Sequence, residues 1–168
     1  QRQMCIRDRS SVSAARSSQI EVEKAAQERA VQGLDPDARK RAEDVASRFA
    51  QAMNARTWQT SRQQWREALA PTVSPELLKT LDVDRDWESD AQHRFVQARA
   101  STSVQVLESR AQTVQGERVD VALMVATETT GEDPWVTAPR TERPMTVVVD
   151  TTQNRVVAQI DMTPHGGL

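Results

Sequence analysis

The chain has 168 residues, enough for one folded domain of ordinary size. It is 38% hydrophobic and 27% charged, a composition typical of a globular chain with a polar surface. The net charge is −2, and the sixteen basic and twenty acidic residues from position 35 onward form no basic patch, which argues against nucleic acid as a partner. Cys5 is the single cysteine, so a disulfide bond within the chain is excluded.

The first 34 residues are expected to precede the folded domain. Residues 1–9 resemble a translated sequencing-adaptor remnant, so the native start is expected to be missing. Residues 10–34 have only a weak apolar stripe, and a solvated helix, a flexible stalk and plain disorder all fit them. We therefore predict a domain over residues 35–163, with residues 164–168 as a disordered tail.

Residues 35–54 form the strongest helical pattern in the chain. Asp35 is a suitable N-cap, and Pro36 fits the first helical position, where no N–H is needed. The apolar residues step by three and four, so they share one face: Ala42, Val45, Ala46, Phe49 and Met53. Such a helix is stable only against a partner surface.

Two shorter helices are predicted next, over residues 58–70 and 74–81. Pro71 ends the first, and Ser74 with Pro75 opens the second. Because a tryptophan buries ~150–250 Å², Trp58 and Trp65 are expected to lie between helix and sheet. Residues 82–92 are acidic and read as a connector.

From residue 94 onward the hydrophobic period changes to two, which is typical of strands. The clearest alternation puts Val119, Val121, Leu123 and Val125 on one face. A first strand is predicted within residues 94–108 and a loop over residues 128–141. The last two strands are marked by two apolar series: Met145, Val147 and Val149, then Val156, Ala158, Ile160 and Met162.

Helices first and strands afterwards indicate an α+β fold with an antiparallel sheet. We predict three N-terminal helices packed in the concave face of a curved, mainly antiparallel four-stranded sheet.

The acidic connector begins like a calcium-binding EF-hand loop, with Asp82, Asp84 and Asp86 at alternate positions. That loop requires Gly at its sixth position and Glu at its twelfth. Trp87 and His93 stand there instead, which favours a solvated linker.

No other pattern points to catalysis or metal binding. His93 and His165 have no second ligand at a metal-binding spacing, and no nucleophile elbow or phosphate-binding loop is present. We predict no catalytic, cofactor-binding or metal-binding residue, no cofactor and no small-molecule substrate.

Trp87 and Trp135 fall in predicted connectors. A loop tryptophan is either a lid over the core or a contact for a partner. We consider both residues candidates for partner contact.

Residues 65–78, WREALAPTVSPELL, follow the pattern W-x-x-x-L-x-P-x-[VL]-[ST]-P-E-[LF]. With the order of elements, this motif resembles nuclear transport factor 2-like domains. It is similar in particular to the TcpC and VirB-type inner-membrane scaffold proteins of actinobacterial conjugation and type IV secretion systems. The resemblance covers about residues 38–162.

The resemblance implies a non-catalytic assembly or scaffold domain on the extracytoplasmic side of the cell membrane. The membrane anchor would precede this chain, and the partners would be further copies of the protein and other secretion-channel subunits. An alternative is a Mce-associated accessory protein of a lipid importer, which shares the fold. A third interpretation, an isomerase or dehydratase on the same fold, requires a polar group inside the cone, whereas the predicted inward positions are aliphatic.

Overall fold

The computed structural model describes the backbone of residues 2–160 and the side chains of residues 14–160. The predicted tail at 164–168, together with Met162 and His165, lies outside the described residues, and so does the side chain of Cys5. The helices are α1 (Arg2–Gly33), α2 (Pro36–Asn54), α3 (Arg62–Leu69), α4 (Pro75–Asp84) and α5 (Asp90–Gln97), with a 3-10 turn at Ala70–Thr72. The strands are β1 (Arg56–Thr57), β2 (Ser101–Gln115), β3 (Arg118–Thr130), β4 (Ala138–Asp150) and β5 (Arg155–Ile160).

The five strands form one antiparallel sheet in the order β1-β2-β3-β4-β5. The sheet curls into a half-barrel around α2. The predicted α+β class and antiparallel sheet are therefore confirmed. The predicted number of elements is wrong, because the described residues contain five α-helices and five strands rather than three and four.

Helix α2 is the centre of the fold, as its apolar stripe predicts. The Asp35 carboxylate accepts a hydrogen bond from the Ala38 N–H (3.3 Å) and caps the first turn. Ala42, Val45, Ala46 and Phe49 are buried, and Met53 is half-buried against the same core. Phe49 is fully inaccessible, so the predicted phase of this helix is confirmed.

Strand β3 supplies the other half of the core. Val119, Val121, Leu123 and Val125 all face α2 and are buried, as the alternation predicts. Gly116 has φ of +61° in the turn that joins β2 to β3, a conformation that glycine adopts without a side-chain clash.

The last strand departs from its predicted pattern because of a β-bulge. Val149 pairs with Val156, whereas Val148 pairs with Ala158, so Val157 is an extra residue. Paired residues lie on the same face of the sheet. Val156 therefore faces the core, whereas Ala158 and Ile160 lie on the opposite, convex face, and the single apolar face predicted for this strand is wrong.

One edge of the sheet is covered by the segment that precedes α4. Val73 makes a parallel bridge to Val156, and the Ser74 N–H donates to the Val156 carbonyl at 2.9 Å. The Arg155 guanidinium also donates to the Pro71 carbonyl. These contacts satisfy backbone groups that an open strand edge would leave exposed.

The predicted second helix begins later than its sequence suggested. Residues 56–57 form the short strand β1, and Ser61 starts α3 through a capping box with Gln64. Trp65 is buried as predicted, but Trp58 is 37% exposed, so its predicted place between helix and sheet is wrong.

The predicted acidic connector is largely helical. Helix α4 continues to Asp84, and α5 begins at Asp90 after the cap supplied by Ser89, whose hydroxyl accepts from the Gln92 N–H at 3.1 Å. Phe95 of α5 packs with Ala98 and Ala100 in a small second core.

Among its described residues, helix α1 packs into the main core near its C-terminal end. Val31 is buried in the main core, whereas the side chains of residues 14–24 are exposed. A groove of about 800 Å³ runs between α1, the start of α2 and β2. At the wall of this groove, the Glu43 carboxylate of α2 accepts a hydrogen bond from the Ala111 N–H of β2 at 3.0 Å.

Candidate functional site

The loop between β3 and β4 presents the most exposed tryptophan of the described residues. Trp135 is 91% exposed. Its neighbour Val136 packs against the small second core of Phe95, Ala98 and Ala100, so one of the two residues is anchored while the other is exposed to solvent. The loop thus holds a large aromatic surface away from the core.

Hydrogen bonds fix this loop in shape. The Asp133 carboxylate accepts from the Trp135 N–H at 3.0 Å, and the Asp133 carbonyl accepts from the Val136 N–H at 3.1 Å. The Glu132 N–H donates to the Ala98 carbonyl at 2.7 Å, which attaches the loop to the end of α5. A Cβ at Gly131 would lie 3.2 Å from the Ala100 Cβ, so the close approach of the two segments favours glycine there.

Trp87 occupies a different environment from Trp135. It is half-buried on the main core, and its ring meets the Trp65 ring edge-on, with centroids 5.6 Å apart and an interplanar angle of 62°. This contact makes Trp87 a cover over Trp65. Of the two predicted partner-contact residues, Trp135 therefore offers much the larger free surface.

Two arginines accompany these aromatic rings. The Arg85 guanidinium lies 5.1 Å from the centroids of both Trp65 and Trp87 and donates to the Met53 carbonyl at 3.0 Å. Arg56 stacks 4.1 Å over Phe95 and donates to the Gln92 side-chain carbonyl at 2.6 Å. Both contacts are cation–π interactions, which offset part of the loss of water around the charge.

The two guanidiniums are close enough to influence each other electrostatically. Burial, followed by the positive charge of Arg56, lowers the pKa of Arg85 to about 10. Burial also lowers the pKa of Arg56. Both guanidiniums remain protonated at neutral pH, so two half-buried positive charges lie within electrostatic reach of each other.

The aromatic rings add hydrogen-bond donors that have no acceptor. The indole N–H groups of Trp65 and Trp87 are buried, and neither donates to any group of the described residues. Trp65 as a whole is only 1% exposed. Buried polar groups are normally paired, so two orphaned donors in rings that contact the Arg85 guanidinium call for an explanation. We refer to Arg56, Arg85, Trp65 and Trp87 as the arginine–tryptophan cluster.

Asp82 does not belong to a calcium loop or to a solvated linker. It is buried on α4, where its carboxylate accepts two hydrogen bonds from Arg62 (2.9 and 3.0 Å), with Arg66 at 3.6 Å. The hydrogen bond from Arg62 is the main reason that the pKa of Asp82 lies below its ordinary value. The linker interpretation is therefore wrong for Asp82. Its carboxylate forms a structural ion pair with Arg62, which joins α4 to α3.

Sequence reasoning missed the arginine–tryptophan cluster. Arg56 and Arg85 lie 29 positions apart in the chain, and Arg85 stands among acidic residues, which made it look like part of a solvated segment. The one available signal was a tryptophan two residues after an arginine in that segment. Only the fold brings Arg85 to the rings of Trp65 and Trp87, and Arg56 to the Phe95 ring and within electrostatic reach of Arg85.

Within the described residues, no group of three or more His, Cys, Asp or Glu side chains could hold a metal ion. The described helices also include none that is both long enough and apolar enough to cross a membrane.

Comparisons with known proteins give one structural likeness. No family model and no curated protein sequence matches the chain. A solved structure with a similar fold is the NMR structure of the proposed transfer protein TraH from the Gram-positive conjugative plasmid pIP501. The TM-score is 0.49 and the identity 7%, over 75% of this chain and 96% of TraH. A likeness at this level establishes neither a shared family nor a shared activity, so the resemblance to nuclear transport factor 2-like and TcpC proteins stays a prediction.

Proposed function

We propose that the chain is a non-catalytic assembly domain of a membrane-anchored component of a conjugation or type IV secretion system. In this proposal it has a nuclear transport factor 2-like fold and works on the extracytoplasmic side of the membrane. Its partners are other copies of itself and further channel subunits.

The observation that carries the proposal is the exposed, anchored Trp135. Tryptophan is enriched among the residues that dominate protein–protein binding energy, and an ordered loop loses less conformational entropy on binding than a flexible one. Val136, packed against the small second core, keeps the loop in place before a partner arrives. These features support a contact surface on the β3–β4 loop.

The motif that carries the family resemblance has a structural role in this chain. Trp65, Leu69 and Val73 are buried, Ser74 caps α4, and Pro75 takes its first position. The motif therefore supports a common packing of these helices against the sheet in this chain and in the proteins that it resembles. It contains no residue positioned for chemistry.

The filled concave face favours assembly over catalysis. An isomerase or dehydratase on this fold would need an acid or base among the inward side chains, with room for a substrate. The inward positions are occupied by Phe49, the four aliphatic residues of β3, and Val147 and Val149 of β4, all buried in one cluster. This packing supports the absence of an active site in the interior.

The Mce-associated alternative shares the fold and the expected anchor, and no feature of the described residues favours it. The genes beside the full reading frame distinguish the two. Coupling ATPases nearby would favour conjugation or secretion, and lipid-import permeases would favour the alternative.

The proposal is tested by Trp135→Ala in sedimentation equilibrium of the chain. If Trp135 is a central contact, its removal should cost at least ~2 kcal/mol of association free energy, which raises the dissociation constant roughly thirtyfold. A photo-crosslinking amino acid at position 135 should in parallel form adducts with a second copy or a channel subunit in cells.

Val83→Ala is the matched control, because Val83 is an 81% exposed hydrophobic residue on α4, outside the loop. It should leave association unchanged. Equal effects of the two substitutions would count against a specific contact at Trp135. A monomeric wild type that also forms no adduct through position 135 would overturn the assembly role.

A further inference from the structure

In the described part of the protein, neither arginine of the arginine–tryptophan cluster forms an ion pair. The ion pairs of the described residues involve Arg62, Arg66 and Arg140. Arg56 and Arg85 have only neutral acceptors, a side-chain amide and a backbone carbonyl. Half-buried charges are normally paired, because removing water from them is unfavourable.

The free hydrogen-bonding capacity of the cluster consists of donors. A guanidinium carries five N–H donors and no acceptor, and each arginine uses one donor in the hydrogen bonds described above. The indole N–H groups of Trp65 and Trp87 are donors as well. The cation–π contacts of the two arginines supply no oxygen acceptor, so the remaining N–H donors have none among the described residues.

An oxyanion supplies both the negative charge and the hydrogen-bond acceptors that the cluster lacks. A carboxylate is planar, carries one negative charge and accepts two parallel hydrogen bonds from the edge of a guanidinium. We propose that the arginine–tryptophan cluster is a binding site for a single carboxylate that an acidic segment of a partner protein inserts. This inference rests on the proposed assembly function and identifies the chemistry of one of its contacts.

The surroundings of the cluster favour a lone carboxylate over an extended polyanion. Asp84, Asp86, Glu88 and Asp90 stand on both sides of Arg85 and Trp87 in the chain, and all four are exposed. An anionic membrane or a nucleic acid would bring many negative charges against these carboxylates. A single carboxylate brings one negative charge and meets less repulsion from these groups.

The test uses the indole N–H signals in proton–nitrogen NMR spectra of the chain. Four such signals are expected, and the exposed Trp58 and Trp135 are assigned with Trp58→Phe and Trp135→Phe. The probe is N-acetyl-glycyl-glutamyl-glycinamide at constant ionic strength, with the glutamine analogue and inorganic phosphate as comparisons. The signals of Trp65 and Trp87 should shift saturably as the glutamyl peptide is added, while the Trp135 signal should not shift. The glutamine analogue should shift none of the four signals.

Substitution of the arginines should weaken the binding of the glutamyl peptide. Arg85→Gln and Arg56→Gln should each weaken peptide binding about tenfold or more, as expected for a lost hydrogen bond to a charged group. Arg140→Gln is the matched control, because Arg140 is an exposed arginine on β4 that is paired with Glu142. If Arg85→Gln fails to fold, Arg85→Lys keeps the charge without the bidentate edge and should still weaken binding.

Three results would overturn the inference. These are no movement of the Trp65 and Trp87 signals, equal movement of all four indole signals, or phosphate binding as strong as that of the peptide. The outcome is independent of the association test. Loss of peptide binding with Trp135-dependent association intact removes only the carboxylate site, whereas peptide binding by a protein that never associates removes the assembly role.

Discussion

Asp82 and Arg85 lie three residues apart in the chain but meet opposite electrostatic surroundings. The Asp82 carboxylate is held by Arg62 and has a second arginine at 3.6 Å, so its charge is compensated within the fold. The Arg85 guanidinium meets aromatic rings and another positive charge. The first arrangement stabilises the fold, and the second leaves free energy to be gained by binding an anion.

Asp82→Asn should destabilise the fold in a pH-dependent way. The Asp82 pKa is lowered in the folded state. Its stabilising contribution is therefore complete above the unfolded pKa of about 3.9 and is lost as the pH falls through the folded value. At pH 7 the substitution should cost about 1–3 kcal/mol, and the difference from wild type should shrink as the pH falls below about 4.

Urea unfolding at a series of pH values measures this effect. Asp84→Asn is the control, because Asp84 is an exposed carboxylate on the same helix, and it should change stability by less than ~0.5 kcal/mol. A loss for Asp82→Asn that is constant from pH 7 to pH 2 would mean that the ionised carboxylate is not the source of the stabilisation.

At the level of elements, the sequence was informative where the hydrophobic period was regular. The stripe of α2 and the alternation of β3 each repeat over more than two turns or pairs, and both predicted the buried faces correctly. Helix α5 has eight residues and β1 has two, which is too short for a period to stand out. The bulge at Val157 reverses the facing of the residues after it, and no local residue type announces it.

The turn between β2 and β3 should be sensitive to the loss of its glycine. Gly116→Ala forces a side chain into the left-handed region and should cost about 1–2 kcal/mol, although the space around the new Cβ is open. Gly33→Ala, at the end of α1, is the matched control. It also has open space, without a positive φ, and should be neutral or stabilising by up to ~1 kcal/mol.

Thermal or urea unfolding of both variants gives the comparison. Equal destabilisation by the two substitutions would show that the backbone conformation at residue 116 is not the cause. The destabilisation would then have to come from some other property of glycine that both positions share.

The whole molecule combines a well-packed half-barrel with surface features that the core does not need. The fold could be predicted in outline because burial leaves a pattern in the sequence. The arginine–tryptophan cluster could not, because its members come from β1, α3 and the segment after α4, and meet only in three dimensions. Trp135 was recognised as a candidate from its place in a loop, but its exposure depends on how Val136 is anchored.

The contribution of α1 to the folded unit can be measured by truncation. Removing residues 1–22 takes away a part of α1 whose described side chains are exposed, so the melting temperature should stay within about 1 °C of the full chain. Removing residues 1–34 also takes away the buried Val31 and the half-buried Leu34, together with one wall of the groove beside β2. Losing one such apolar side chain costs roughly 1.5–3 kcal/mol, which corresponds to a melting temperature lower by about 3–12 °C.

Equal melting temperatures for the two truncations would favour a folded domain that begins at residue 35, as the sequence predicts. A large loss from the shorter truncation would instead mean that the exposed part of α1 supports the fold, for example by pairing with a second copy of the chain.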